Sequence, residues 1–231
     1  METLPNGLTL ELAEGAFPLS TDSMLLAHFA RLPRNARVLD LGSGCGTLGL
    51  MLCAKDQNCT VTGLEISDAA HRGALENIRR NDLTARLSSI CCDLRDLPAE
   101  FPGTFHCCIS NPPYFSGGPA NLATPIARRD DFCSPDELFR TAAKALRYGG
   151  DFFLVHKPEK LAQLIGCGAA QNLEAKNLSL IRHKEGGPIT LILLQFRKGG
   201  KPGLQIHEHC LFDSHGNPTA YYKEVYHIQG D

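Results

Sequence analysis

Four glycines crowd one short stretch, and their placement limits the chain to a narrow set of folds. "RVLDLGSGCGTLG" (37–49) begins as an apolar β run, then turns through Gly42, Gly44 and Gly46 before Gly49 enters a run with helical spacing. A strand that passes through a side-chain-poor turn directly into a helix leaves backbone N–H groups at the helix N-terminus. That arrangement receives a nucleotide or nucleoside at the edge of an open α/β sheet.

The remaining chain keeps the same rhythm. "CTVTGLEI" (59–66), "ARLSSICCDL" (85–94), Phe105 to Ser110 and "DFFLVH" (151–156) read as further strands. Between them lie helical runs. One starts behind a Ser67-Asp68 cap, another behind Ser134-Pro135-Asp136-Glu137, and one runs from Pro158 to about Ala170. Residues 173–183 and 188–198 read as an antiparallel hairpin turning at Lys184-Glu185-Gly186-Gly187, and 204–212 as a candidate tail strand. Such alternation predicts one α/β domain with a mostly parallel sheet covered on both faces.

The loop satisfies two patterns. Gly44-Cys45-Gly46-Thr47-Leu48-Gly49 fits G-x-G-x-x-G, the dinucleotide fingerprint, which with Glu65 keeps an NAD-dependent dehydrogenase open. Asp40-x-Gly42-x-Gly44-x-Gly46 instead places a carboxylate before the glycines. A carboxylate repels a pyrophosphate and suits the ammonium of S-adenosylmethionine. Glu65 at the second strand's end suits a ribose diol, and Asp93 after the third suits the adenine amine.

The fourth strand stops on Asn111-Pro112-Pro113-Tyr114. Proline fixes φ and offers no N–H, so the Asn111 side-chain oxygen and the Pro112 carbonyl are held as two acceptors. A planar exocyclic amine is a poor nucleophile until it pyramidalises, and acceptors on its N–H bonds favour that change. Tyr114 or Phe115 would stack on the flat substrate. No metal is expected: His207 and His209 share a strand face, but no second cluster completes a ligand set.

The loop, Glu65, Asp93 and Asn-Pro-Pro-Tyr, in that order, resemble the class I Rossmann-like amino methyltransferases. Nearer still is the bacterial family that methylates N6 of the adenine 3′ to the anticodon, adenine 37, in tRNA(Val). "FPLSTDSMLLAHF" (17–29), "ARRDD" (127–131), "VHKPEKLAQLI" (155–165) and "YYKEVY" (221–226) are similar to that family. The resemblance implies a seven-stranded sheet with an antiparallel last strand. It implies S-adenosyl-L-methionine as cofactor, with Ser20, Thr21 and Asp22 at its methionine end and Ile66, Leu94 and Asn111 also in contact. The proposed substrate is RNA of the tRNA class, met by Arg128, Arg129 and Lys157. On this reading residues 1–36 cover the cofactor, 37–198 form the core and 199–231 extend it.

Within the class, a ribosomal-RNA guanine-N2 enzyme is the rival. A protein-glutamine N5 enzyme fits less well, since only 36 residues precede the first strand, and a DNA adenine enzyme would want a long insertion. An RNA-binding module with a relict nucleoside site is the non-enzymatic alternative. The net charge of -2 and pI near 6.5 exclude a general polycation, so RNA contact must come from local patches. Ten cysteines, none in a C-x-x-C pair, read as reduced thiols of a cytoplasmic protein. The first residues suggest no signal peptide, no window suggests a membrane span, and no obligate protein partner is evident.

Overall fold

Each expected strand carries apolar residues on both of its faces, and the chain arranges them as the middle layer of three. The computed structural model describes residues 2–4, 7–12, 20–112 and 133–226. In chain order the elements are β1 (Glu2–Thr3), β2 (Thr9–Leu10), α1 (Thr21–Phe29), β3 (Arg37–Leu41), α2 (Thr47–Lys55), β4 (Thr60–Glu65), α3 (Asp68–Arg80), β5 (Leu87–Cys91) and β6 (Phe105–Ser110). They continue with α4 (Pro135–Ala145), β7 (Leu146–His156), α5 (Leu161–Ala170), β8 (Leu173–Lys184), β9 (Ile189–Lys198), β10 (Gln205–Phe212) and α6 (Ala220–Val225).

The large sheet has the order β10-β8-β9-β7-β6-β3-β4-β5. β9 runs antiparallel to both neighbours, and every other pairing is parallel. The α/β class and the antiparallel final hairpin agree with expectation. The strand count becomes eight, because the tail segment pairs with β8 along Gln205↔Asn177 to Phe212↔Lys184.

Alternation sorts the core. Val38, Cys107, Ile109, Phe153 and Leu193 face one side, where Leu25 and Leu26 of α1, Leu48 and Leu52 of α2 and Ile78 of α3 meet them. Leu39, Cys108, Phe152, Leu154 and Leu194 face the other, against α4 and α5. There Phe139 sets its ring edge-on to Phe152 and Phe196, with centroids 5.2 and 5.0 Å away.

The helix starts follow their caps. Ser134 and Glu137 form a reciprocal capping box with Pro135 at the first position, and Ser67 accepts from the Ala70 N–H. The third strand ends earlier than expected, at Cys91, because Asp93 turns the chain by accepting from the Arg95 and Asp96 amides. The segment from Pro158 opens as a 3₁₀ turn over Pro158–Lys160 before α5 begins. No helix among the described residues is long and apolar enough to cross a membrane.

Two asparagines one helical turn apart, Asn77 on α3 and Asn81 at its C-cap, fasten the N-terminal segment. Asn81 exchanges hydrogen bonds with the Thr9 backbone, and buried Asn77 does so with Glu11. Asn77 Nδ2 also donates to the Cys45 carbonyl in the glycine loop at 3.0 Å. Asn77→Ala would strand three backbone groups, at a cost of roughly 2–4 kcal/mol. Urea denaturation should show that loss together with weaker nucleoside binding; an unchanged midpoint would contradict this role.

Candidate active site

The parallel strands end together at one edge, and Asp40, Glu65, Asp93 and Asn111 all sit on the ends of β3, β4, β5 and β6. β3 and β6 are adjacent, and the Ser110 hydroxyl donates to the Leu41 carbonyl at 2.7 Å, tying the two strand ends together. The loop after β3 folds back on β4, where the Gly42 and Ser43 amides both donate to the Leu64 carbonyl at 3.0 Å. Gly42, Gly44 and Gly46 take φ values of 75°, 54° and 85°, a region that side chains rarely enter. Gly46 caps α2 without any side-chain contribution. Beneath the loop, a Cβ at Gly63 would stand 2.5 Å from Ser43 Oγ, so β4 must carry a glycine for the loop to lie against it.

Asp40 is 1% exposed, and among the described residues neither carboxylate oxygen has a hydrogen-bond partner. Burial, with the Glu65 carboxylate nearby, pushes its pKa up to about 8. The buried Ser43 hydroxyl also lacks a partner among the described residues. A buried, unsatisfied acidic group costs free energy unless something meets it. A ligand cation with N–H donors would meet it, which is what an S-adenosylmethionine ammonium offers.

Glu65 accepts from the Gly44 amide through one oxygen and from the Ser67 amide through the other, both at 2.8 Å. The same carboxylate therefore braces the glycine loop and keeps further acceptor positions for hydroxyls. Ile66, beside it, is 49% exposed and presents an apolar face next to the Glu65 carboxylate. Asp93 is gripped by the Arg95 guanidinium, which holds its carboxyl below the ordinary range. Arg95 also reaches Glu137 at 3.7 Å, so it joins the end of β5 to the start of α4. Leu94 packs against the α4-side core, and its carbonyl accepts from the Thr141 hydroxyl.

Asn111 Nδ2 donates to the Ser23 hydroxyl at 2.9 Å. The amide is thereby oriented, and its Oδ1 is left as an acceptor without a partner among the described residues. Pro112 follows and is buried. Ser20 is the N-cap of α1 and accepts from the Ser23 amide, while Thr21 and Asp22 form the first turn. Burial raises the Asp22 pKa, and Lys157, just past β7, opposes that rise. Pro113, Tyr114, Phe115, Arg128 and Arg129 lie outside the described residues.

Sequence reasoning brought the strand-end acids and Asn111 to one edge but missed several supports. Ser23 stood in the block "FPLSTDSMLLAHF" without being singled out, and Asn77, Ser110 and Arg95 carried no recognised motif. An Asp-x-Arg spacing at a strand end was the one local signal for the Asp93–Arg95 pair. Among the described residues no group of three or more His, Cys, Asp or Glu could hold a metal ion; His207 and His209 stack with ring centroids 6.5 Å apart.

Comparison with known proteins gives this edge its context. The family model described as "Methyltransferase small domain" matches residues 19–166. A Shewanella halifaxensis protein named tRNA1(Val) (adenine(37)-N6)-methyltransferase is 31% identical over 172 residues, spanning 73% of this chain and 70% of its own. A Bacteroides fragilis protein of the same name is 30% identical over 187 residues, 78% of this chain and 77% of its own. Among solved structures, a predicted O-methyltransferase from Agrobacterium tumefaciens superposes with a TM-score of 0.75 at 22% identity, covering 90% and 96% of the two chains. That last likeness speaks to fold alone. With the family model spanning both the glycine loop and Asn111, this chain belongs to the methyltransferase small domain family.

Proposed function

We propose that the protein methylates an exocyclic amine of an RNA base, N6 of adenine 37 next to the anticodon of tRNA(Val), with S-adenosyl-L-methionine as donor. One observation carries the chemistry: Asn111, just past β6, is fixed by Ser23 with its Oδ1 unpartnered among the described residues, beside the strand that presents buried Asp40, which likewise has no hydrogen-bond partner among them. The relatives' names support the choice of nucleotide.

S-adenosylmethionine supplies an electrophilic methyl group on a sulfonium. The chain's residues bind and aim. Asp40 holds the ammonium, with Ser20, Thr21 and Asp22 beside the same end. Gly42, Gly44 and Gly46 give a surface without side chains, Glu65 meets the ribose hydroxyls, and Ile66, Asp93 and Leu94 border the adenine. Asn111 Oδ1 and the Pro112 carbonyl accept from the two N–H bonds of the target amine. As those N–H bonds are held, the nitrogen lone pair is drawn out of conjugation and positive charge on nitrogen is stabilised. The proton is lost after transfer, so no strong base is needed.

Pro113 stiffens the turn, and Tyr114 and Phe115 stack on the base. The target adenine must leave its own stack to be reached. Arg128, Arg129 and Lys157 contact phosphates and set the position of the RNA. Residues 1–36 act as the cofactor cover, 37–198 as the core and 199–231 as an extension, in a cytoplasmic enzyme.

Incubation of unmodified bulk tRNA and rRNA with protein and labelled cofactor, followed by nucleoside mass mapping, tests this. The expected product is N6-methyladenosine in tRNA(Val). N2-methylguanosine in rRNA would favour the rival enzyme, and labelled nucleoside in neither would overturn the RNA reading. S-adenosylhomocysteine, and not NAD, should raise the thermal midpoint.

A further inference from the structure

The amide of Asn111 hangs on Ser23, so its orientation depends on what fixes the first turn of α1. At its far end α1 is clamped firmly: Lys55 Nζ donates to the carbonyls of Ala27, His28 and Ala30, each at 2.8 Å. The first turn of α1 is capped locally by Ser20 through the Ser23 amide, but that cap ties the turn only to its own segment. The anchor here comes from the other end of the chain. The Tyr226 hydroxyl donates to Thr21 Oγ1 at 3.1 Å, across 205 residues of sequence.

The geometry of α6 makes that contact specific. Tyr221 meets the His28 ring edge-on at 5.7 Å, while Tyr226 meets Thr21, so α6 lies antiparallel along α1 and touches it at both ends. α6 itself is held to β10, since the Thr219 hydroxyl donates to the Cys210 carbonyl at 2.6 Å and caps the helix by accepting from the Tyr222 amide. Val225 is buried in the core. The Tyr226 ring stacks on Tyr222 at 4.3 Å, and Tyr222 packs on Phe212 at the end of β10. The ring is thus fixed by packing, and its hydroxyl is aimed at the first turn of α1.

We infer that Tyr226 is a positioning residue: through Thr21 it fixes the first turn of α1, so that Ser23 holds the Asn111 amide with its oxygen towards the substrate. This rests on the acceptor role proposed for Asn111. It gives the eighth strand and the final helix a purpose in catalysis, since together they carry one hydroxyl back to the reaction edge.

The test compares full-length Tyr226→Phe, Thr21→Val, Ser23→Ala and the Tyr226→Phe/Ser23→Ala double variant with the parent protein. Phenylalanine keeps the stack and removes only the hydroxyl. Tyr226→Phe and Thr21→Val should each lower kcat by about tenfold, the scale of a small misplacement at the reacting atoms. The Kd for S-adenosylhomocysteine should stay within about twofold for Tyr226→Phe, as expected when orientation rather than binding is disturbed. The double variant should be no worse than the more impaired single variant, because both changes release the same amide. Losses that multiply, an unchanged kcat, or a binding loss with kcat intact would each overturn the inference.

Hydrogen exchange provides an arm independent of activity. The Ser23 and Met24 amides, bonded to Ser20, should exchange about tenfold faster in Tyr226→Phe, whereas the Leu50 amide in α2 should not change. If the parent protein left RNA unmethylated, the functional proposal would fail. Unchanged exchange at Ser23 and Met24 would reject the positioning role on its own.

Discussion

Asn111→Ala is expected to lower methyl transfer to RNA by about 10²–10³-fold, the scale seen when a single transition-state hydrogen-bond partner is removed. Affinity for S-adenosylhomocysteine should change far less. The two effects should separate because Asn111, bonded to Ser23, is proposed to meet the substrate amine, while Asp40, Glu65 and the glycine loop belong to β3, β4 and the turn after β3. Loss of the Ser23 hydrogen bond alone costs about 1 kcal/mol, too little to unfold a domain of this size. Asn111→Asp keeps an acceptor oxygen and should retain more activity than alanine. Single-turnover transfer at saturating cofactor is the measurement, and an alanine variant as fast as the parent would rule out the acceptor role.

The second large effect concerns Asp40. Its carboxyl is buried without a partner among the described residues, and burial, with Glu65 nearby, pushes its pKa up to about 8. The folded, ligand-free protein therefore keeps a proton that the unfolded chain releases. Its contribution to stability is full below the ordinary carboxylate pKa and is lost as pH rises towards 8. Asp40→Asn removes that loss, so the ligand-free variant should melt several degrees higher than the parent at pH 7.5, with a smaller difference at pH 5.

Binding should move the other way. An ammonium against Asp40 favours the carboxylate, so cofactor binding expels the proton. Between pH 6 and 7, S-adenosylhomocysteine affinity should rise with pH, and calorimetry in buffers of different ionisation enthalpy should find about one proton released per ligand bound. Asp40→Asn should abolish the release and weaken affinity about 10- to 100-fold, the worth of a charge-assisted hydrogen bond. Equal affinity and equal proton release in the variant would remove Asp40 from the ligand site.

These features differ in how openly the sequence displays them, and the difference is one of range. The start of α4 was legible because Ser134, Pro135 and Glu137 settle it among themselves. The strands Arg37–Leu41 and Phe105–Ser110 were legible because apolar runs end on a glycine turn in one case and a double proline in the other. Asp40 and Asn111 could be placed at one sheet edge once the alternation of strands and helices was recognised. Glu65 was expected only to meet a ribose. That it also braces Gly44 depends on how the glycine loop folds back, which no local pattern specifies.

The supports of the site were hidden for the same reason. Ser23 and Asn111 are 88 residues apart, and Asn77 reaches both Glu11 and Cys45 from a helix whose sequence looks like an ordinary amphipathic surface. A hydroxyl or amide of this kind has no periodicity to betray it. The eighth strand was foreseen as a possibility. Its parallel pairing with β8, and the return of α6 to α1, depend on packing across the whole sheet.

The antiparallel seating of α6 on α1 bears on how the polypeptide matures during translation. α1 leaves the ribosome before every strand of the large sheet, yet its partner helix is made only after β8, β9 and β10. Until then the first turn of α1 has no tyrosine to lean on, and a nascent chain can close its sheet while the reaction edge is still unset. Competence to react should therefore arrive only once α6 has been made, later than the capacity to hold a nucleoside.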